Sequence, residues 1–285
     1  MMSLRGAAPR LFTSIRGRGT DTVVFLPGMG GTSRYWGAAG QRMDSGFRSV
    51  LVDPLGFGLS PKPWKRYTLD AHLDALDRTL APEPPFIVVG HSLGAILALA
   101  YALMRPEQVR GLVLLGLPCF RSHAEARAKW RELASPYAWV ASHYLIAAGT
   151  CLVTRRIMAH WLPALLPDVP RVVAEDLTQH TWLSSTSTLW NVVFGFDAGA
   201  AAARISPAVP VACVHGTADT TAPLAAVRSL MGRSGHWSWT VLDGVDHHPW
   251  LRAPAECLAA IQDVRSRSAD PSHSRFAERL NRISS

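Results

Sequence analysis

Phe86-Ile87-Val88-Val89-Gly90-His91-Ser92-Leu93-Gly94-Ala95-Ile96-Leu97-Ala98-Leu99 is the stretch on which the reading of the fold turns. Its first four residues are apolar and β-branched or aromatic, which predicts a short buried strand. The run stops at Gly90, and from Ser92 an Ala- and Leu-rich run predicts a helix. Between them lies Gly90-x-Ser92-x-Gly94, a G-x-S-x-G spacing. On a tight strand-to-helix turn, a serine is held in a strained conformation with its hydroxyl thrust out of the sheet. Glycines two residues to either side let neighbouring backbone come close without a Cβ clash. The N-terminus of the helix favours developing negative charge. The same five residues could be an inert loop serine. The strand before and the helix after are what the chemistry requires.

Outward from this stretch, strand and helix signals alternate. Residues 11–16 and 22–26 predict two strands turned by Gly17-Arg18-Gly19, the second running into Pro27-Gly28-Met29-Gly30-Gly31. That cluster is not G-x-G-x-x-G and lacks a P-loop lysine, so it predicts a turn with exposed backbone N–H groups, not a phosphate site. Residues 48–52 predict a strand ending in Asp53-Pro54-Leu55-Gly56-Phe57-Gly58-Leu59-Ser60, a loop of turn formers. Leu69, Leu73, Leu76 and Leu80 recur at helical spacing, and residues 109–115 predict a further buried strand. Near-continuous apolar strands separated by helices predict an α/β fold: a doubly wound, mostly parallel sheet covered on both faces.

After Gly116 the pattern changes. Residues 118–203 show no convincing strand, only helix-like segments broken by Pro136, Pro163, Pro167 and Pro170. Trp130, Trp139, Trp161, Trp182 and Trp190 fall here, and the segment predicts a helical cap over the sheet. Strand and helix signals return at 209–214, 224–231, 237–242 and 253–264. The expected organisation is therefore an α/β core over 1–117, a helical cap over 118–203, the rest of the core over 204–265, and a polar tail over 266–285. The tail is a candidate for disorder, with Phe276 and Leu280 available to anchor a short helix.

The 285 residues are 48% hydrophobic and 18% charged, enough for one large α/β domain with an insertion or for two small domains. No apolar run approaches a membrane span and no apolar h-region follows the N-terminal arginines, so neither a transmembrane segment nor a secretory signal is expected. Cys119, Cys151, Cys213 and Cys257 are scattered without C-x-x-C spacing, which suits buried thiols in a reducing cytoplasm better than disulfides or zinc. The net charge of +8 comes from arginines spread along the chain, several in the tail, without the aromatic interleaving of a nucleic-acid face. No nucleic-acid partner is expected. His72, His123, His143, His160, His180 and His236 show no ligand spacing such as H-E-x-x-H, so no metal and no cofactor are expected.

A serine hydroxyl near its free pKa is a poor nucleophile and needs a base, which in turn needs an orienting group. In open parallel sheets reactive groups lie beyond the carboxyl ends of strands. Asp219 lies in such a loop, after Val211-Ala212-Cys213-Val214-His215. His247 and His248 lie in the last one, within Asp243-Gly244-Val245-Asp246-His247-His248-Pro249. Asp197, Asp243 and Asp246 are the other acids to weigh. Asp197 precedes a strand, and Asp243 and Asp246 share the histidine loop, which favours Asp219.

From about Leu11 to Val264 the chain resembles the α/β-hydrolase superfamily, in the branch with a helical cap after the sixth strand. The resemblance rests on Leu26-Pro27-Gly28-Met29-Gly30, on Asp53 through Ser60 as D-x-x-G-x-G-x-S, on Gly90-His91-Ser92-Leu93-Gly94, on His215-Gly216-Thr217-Ala218-Asp219, and on His247 seven residues before Pro254. It implies a catalytic set of Ser92, Asp219 and His247, with oxyanion donors at the Met29 and Leu93 N–H groups. It favours His247 over His248 as the base and puts His248 near the substrate. Two positions depart from the family. Pro27 replaces a usual histidine before Gly28, which an oxyanion hole built from backbone can tolerate. Asp246 replaces a usual glycine before the base, where it could raise the imidazole pKa or face water.

The implied activity is hydrolysis of a carboxylic ester or thioester of a partly apolar small molecule. An aspartate would stand at the elbow in related dehalogenases and epoxide hydrolases, so Ser92 disfavours those reactions. Lactonase, amidase, C–C hydrolase, acyltransferase and perhydrolase chemistry remain alternatives on the same triad. A lyase, a cofactor-free oxygenase or a receptor remain alternatives on the same fold.

Overall fold

The computed structural model describes residues 8–37, 46–120, 122–132, 149, 170–231 and 235–269. Seven strands form one sheet: β1 (Thr13–Arg16), β2 (Asp21–Leu26), β3 (Phe47–Val52), β4 (Phe86–His91), β5 (Val109–Leu115), β6 (Val211–Gly216) and β7 (Ser238–Leu242), in the order β1-β3-β2-β4-β5-β6-β7. Only β1 is antiparallel, pairing with β3 at the edge. The other five pairings are parallel.

That order fixes where a site can form. From β2 the chain winds outward to β3, returns to β4 on the other side of β2, and then winds outward through β5, β6 and β7. The loops after β2 and β4 thus leave in opposite directions and open a crevice at the carboxyl edge.

Residues alternate between the faces of each strand, and both faces are apolar. Val24, Leu26, Val50, Val52, Val88, Leu112 and Leu114 pack against α1 (Leu69–Leu80) and α2 (Leu93–Met104). Val23, Phe25, Leu51, Ile87, Val89, Val113 and Val214 pack on the other side with Trp36, Trp250, Ile261 and Val264. Thr68 caps α1, its Oγ1 accepting from the Ala71 N–H at 3.2 Å.

The described parts between β5 and β6 are helical: α3 (His123–Glu132), α4 (Arg171–Asp176), α5 (Trp182–Thr188), a π-helical turn over Leu189–Val193, and α6 (Ala198–Ala202). This insertion follows the fifth strand among the described residues, not the sixth. Pro136, Pro163, Pro167, Trp139, Trp161, Cys151, His143 and His160 lie outside the described residues, as do Phe276, Leu280 and the tail from 270 onward. Beyond β6, α7 (Leu224–Met231), the short α8 (Pro249–Arg252) and α9 (Pro254–Ala269) complete the chain. The final helix runs about five residues past the expected end of its apolar pattern.

The inserted segment is tied to the loops after β2 and β3 by side chains. Thr32 Oγ1 donates to Asp176 Oδ2 at 2.6 Å, and Arg34 Nη1 donates to Asp176 Oδ1 at 2.7 Å. Ser184 Oγ donates to the Gly56 carbonyl at 2.9 Å, and the Tyr67 N–H donates to Ser187 Oγ at 2.8 Å. His72 Nε2 lies 3.1 Å from Thr188 Oγ1.

Candidate active site

Ser92 stands between β4 and α2 with φ 52° and ψ −114°, the only non-glycine residue with positive φ among the described residues. Such a conformation costs on the order of 1–3 kcal/mol and survives only where the surroundings enforce it. The surroundings are backbone. A Cβ on Gly90 would stand 2.3 Å from the Gly94 carbonyl oxygen, and one on Gly94 would stand 1.9 Å from the Leu26 carbonyl oxygen. The Ser92 N–H donates to the Leu115 carbonyl at 2.9 Å. A serine at a helix N-cap ordinarily turns its hydroxyl onto the first turn of the helix. Here Ser92 makes no such bond, and its Oγ lies 2.9 Å from His247 Nε2.

His247 Nδ1 lies 2.7 Å from Asp219 Oδ2. A carboxylate can only accept, so Nδ1 carries the proton and Nε2 presents its lone pair to the Ser92 hydroxyl. The Asp219 side chain is fully buried, while the His247 side chain keeps 13% of its surface exposed. Asp219 Oδ1 accepts from the Thr221 and Ala222 N–H groups at 2.9 and 2.7 Å. Burial pushes the Asp219 carboxyl up, but His247 and the Ala222 N–H more than reverse this and hold it below the usual carboxylate range. Asp219 is therefore an anion whose two oxygens are both committed.

His215 stands beside this acid with Nε2 3.4 Å from Asp219 Oδ2. Its shorter contact is to the Ala222 carbonyl, 2.6 Å away, to which Nε2–H donates. Burial lowers the His215 pKa against the pull of Asp219, so the pair is a contact of neutral imidazole with carboxylate.

The other acids are occupied elsewhere. Asp197 caps α6 by accepting from the Ala200 N–H at 2.9 Å. Asp243 accepts from Thr217 Oγ1 at 3.1 Å. Asp246 accepts from the His248 N–H and pairs with Arg252 at 2.7 Å, so its carboxylate is bound within its own loop.

The Gly28 backbone runs directly over Ser92: a Cβ there would lie 3.3 Å from Ser92 Cβ and 2.8 Å from His91 Nδ1. Met29 follows Gly28 directly and is half-buried against the core. Leu93 opens α2, where the first N–H groups have no intrahelical acceptor. His248 is half-buried, its ring against Tyr35, His91 and His247 at centroid distances of 5.9, 5.3 and 5.6 Å. Burial, then the neighbouring His247, brings its pKa down to about 4.

One residue of the motif has a second role that its sequence position does not signal. His91 is buried, stacks on Tyr35 at 4.7 Å, and donates Nε2–H to the His247 carbonyl at 2.6 Å. Its other nitrogen is buried without a hydrogen-bond partner. The only hint in the sequence is that His91 adjoins Ser92. Among the described residues no group of three or more His, Cys, Asp or Glu could hold a metal ion. A cleft of about 370 Å³, lined by Leu69, Leu73, Leu103 and Phe196 among others, opens near the far end of α2, away from Ser92.

The alpha/beta hydrolase fold family matches residues 21–248. The chain belongs to that family. It is 31% identical over 257 residues to the pimeloyl-(acyl-carrier protein) methyl ester esterase of Aromatoleum aromaticum, covering 85% of this chain and 97% of that enzyme. It is 28% identical over 256 residues to the probable lysophospholipase BODYGUARD 2 of Arabidopsis thaliana, covering 80% of this chain. The chain spans 54% of the length of that plant relative. Among solved structures, a thermophilic esterase from Thermogutta terrifontis shares the fold at a TM-score of 0.68 with 17% identity, over 91% of this chain and 94% of that one. Among the described residues no helix is long and apolar enough to cross a membrane.

Proposed function

We propose that the chain is a serine hydrolase that cleaves a carboxylic ester or thioester of a partly apolar small molecule through an acyl-enzyme. The observation that carries this reading is one imidazole within 2.9 Å of an alcohol and 2.7 Å of a buried carboxylate. His247 Nε2 takes the Ser92 proton as Oγ attacks the carbonyl carbon. Asp219 holds the tautomer and stabilises the imidazolium. The Met29 and Leu93 N–H groups receive the oxyanion. The imidazolium returns its proton to the leaving alcohol or thiol. Water, deprotonated by the same His247, then releases the acid and restores Ser92.

The relatives support ester chemistry: one is named for a methyl ester and another as a probable lysophospholipase. We assign residues 118–203 the role of a cap that walls the pocket, supported by the contacts of Asp176 and Ser184 with the loops after β2 and β3. His248, packed beside His91 and His247, is a candidate substrate contact. The buried thiols of Cys213, far above its usual pKa, and Cys257, pushed up to about 12 by burial, suit a reducing compartment such as the cytoplasm.

Turnover of short p-nitrophenyl esters tests the reading. Ser92→Ala is expected to lose at least ~10⁴-fold in kcat and all labelling by a fluorophosphonate, and Asp219→Asn to lose on the order of 10⁴-fold. A Ser92→Ala protein that hydrolyses esters as fast as the wild type would overturn it.

A further inference from the structure

Leu59 and Trp64 are 69% and 78% exposed, the two most exposed large apolar side chains among the described residues. Both lie in Leu59-Ser60-Pro61-Lys62-Pro63-Trp64-Lys65-Arg66, between β3 and α1. From this we infer that the β3–α1 loop docks the molecule on an anionic phospholipid surface.

The loop is built, not frayed. Lys62 Nζ donates to the Gly58 and Ser60 carbonyls, and the Lys65 N–H donates to the Pro63 carbonyl at 2.9 Å. Two prolines restrict its backbone. Immediately behind the tip, Tyr67 is fully buried, with its Oη donating to the Pro63 carbonyl at 2.8 Å. Trp182 of α5 sets its ring against Trp64 at 5.7 Å and 76°. A rigid base therefore holds an indole outward that could have been turned in.

The chemistry around that indole identifies the partner. An amphipathic indole ring is favoured at the headgroup level of a bilayer. Lys65 and Arg66 follow it, both exposed, and neither forms an ion pair among the described residues. Arg66 Nη2 donates only to the neutral Asn191 at 3.1 Å. No acid occurs between Ser60 and Leu69, and the whole chain carries +8. An exposed indole followed by two cations without an ion pair among the described residues matches the negatively charged headgroup layer of an anionic bilayer. The loop leaves the carboxyl end of β3, the same edge of the sheet at which Ser92 follows β4.

Co-sedimentation of the full chain with vesicles tests this directly and needs no enzymatic activity. The wild type is expected to pellet with phosphatidylcholine vesicles containing about one-third phosphatidylglycerol, to stay in solution with pure phosphatidylcholine, and to be released by salt. Lys65→Gln and Arg66→Gln should each weaken partitioning about fivefold. Trp64→Ala should weaken it further, while all three variants remain folded by circular dichroism. Absence of binding at low salt would overturn the inference, as would binding that all three variants retain. A concentration-dependent dimer abolished by Trp64→Ala would overturn it in favour of a second copy of this chain.

Discussion

The elbow around Ser92 and the docked insertion between β5 and β6 are fixed in opposite ways. At the elbow, backbone meets backbone: Gly90 against Gly94, and Gly94 against Leu26, leave no room for a methyl group. The insertion is attached by polar side chains reaching across more than a hundred residues of sequence, as in Thr32 to Asp176, Tyr67 to Ser187 and His72 to Thr188. Steric exclusion does not depend on solvent conditions, whereas hydrogen bonds to titratable groups do. The elbow thus rests on steric exclusion, and the insertion on hydrogen bonds of which two involve the titratable Asp176 and His72.

The sharpest way to break this contrast is Gly94→Ala. The new Cβ would meet the Leu26 carbonyl carbon at 2.5 Å and its oxygen at 1.9 Å, and both belong to the central sheet. A strained core substitution of this kind is expected to cost more than about 4 kcal/mol and to leave little folded protein by calorimetry. Gly235→Ala, where nothing lies within 4 Å of the new atom, is the matched control and should stay within about 0.5 kcal/mol.

The same contrast explains what could be read from the sequence. The sheet and the elbow were legible because they rest on local signals: apolar runs of strand length, glycines at fixed offsets from a serine, and acids and histidines in loops after strands. The helix over Leu69–Leu80 begins and ends where its leucine spacing predicts. The docking of the insertion was not legible, since nothing near Asp176 or Ser187 in sequence announces a partner near residues 32 or 67. Asp246 could be seen as an anomaly before the base, but its ion pair with Arg252, six residues on, needed coordinates. His91 was hidden because its partner is a main-chain carbonyl, which any residue would supply.

Lowering the pH should destabilise the molecule through its buried imidazoles, at the insertion contact of His72 and beside the elbow alike. His72 is buried and its pKa is brought down to about 4, first by burial and then by Lys65. The unfolded chain takes up this proton near pH 6.5, the folded chain only near 4, so the unfolded state binds more protons in between. Stability therefore falls as pH drops through that window, by about 3 kcal/mol for His72 alone. His91, His215 and His248, all lowered by burial, add loss of the same sign. Asp176, raised chiefly by burial, works the other way at lower pH. Melting temperature measured from pH 7 to 4.5 should fall steadily in the wild type and less steeply in His72→Gln. Parallel curves for the two proteins would show that this contact does not carry the acid sensitivity.

The smallest expected effect lies where the rigid part of the site meets its mobile chemistry. His91 shares a peptide bond with Ser92, packs on Tyr35, and holds the main chain of His247 through one hydrogen bond of 2.6 Å. The acceptor is a carbonyl, so Nε2 carries the proton and Nδ1 is bare; burial, before the neighbouring imidazoles, keeps the ring neutral. A protonated His91 would stand 5.0 Å, ring to ring, from the imidazolium that the proposed mechanism forms on His247. Phenylalanine can keep the stack on Tyr35 but cannot donate. His91→Phe is expected to lower kcat about tenfold, the equivalent of one misplaced hydrogen bond, with KM within about twofold of the wild type. His91→Gln, whose amide can donate to the same carbonyl, should recover part of the loss. An unchanged kcat in His91→Phe would mean that Asp219 and the close packing of Gly116 against the His247 ring suffice to aim the base, and that the elbow positions only its own serine.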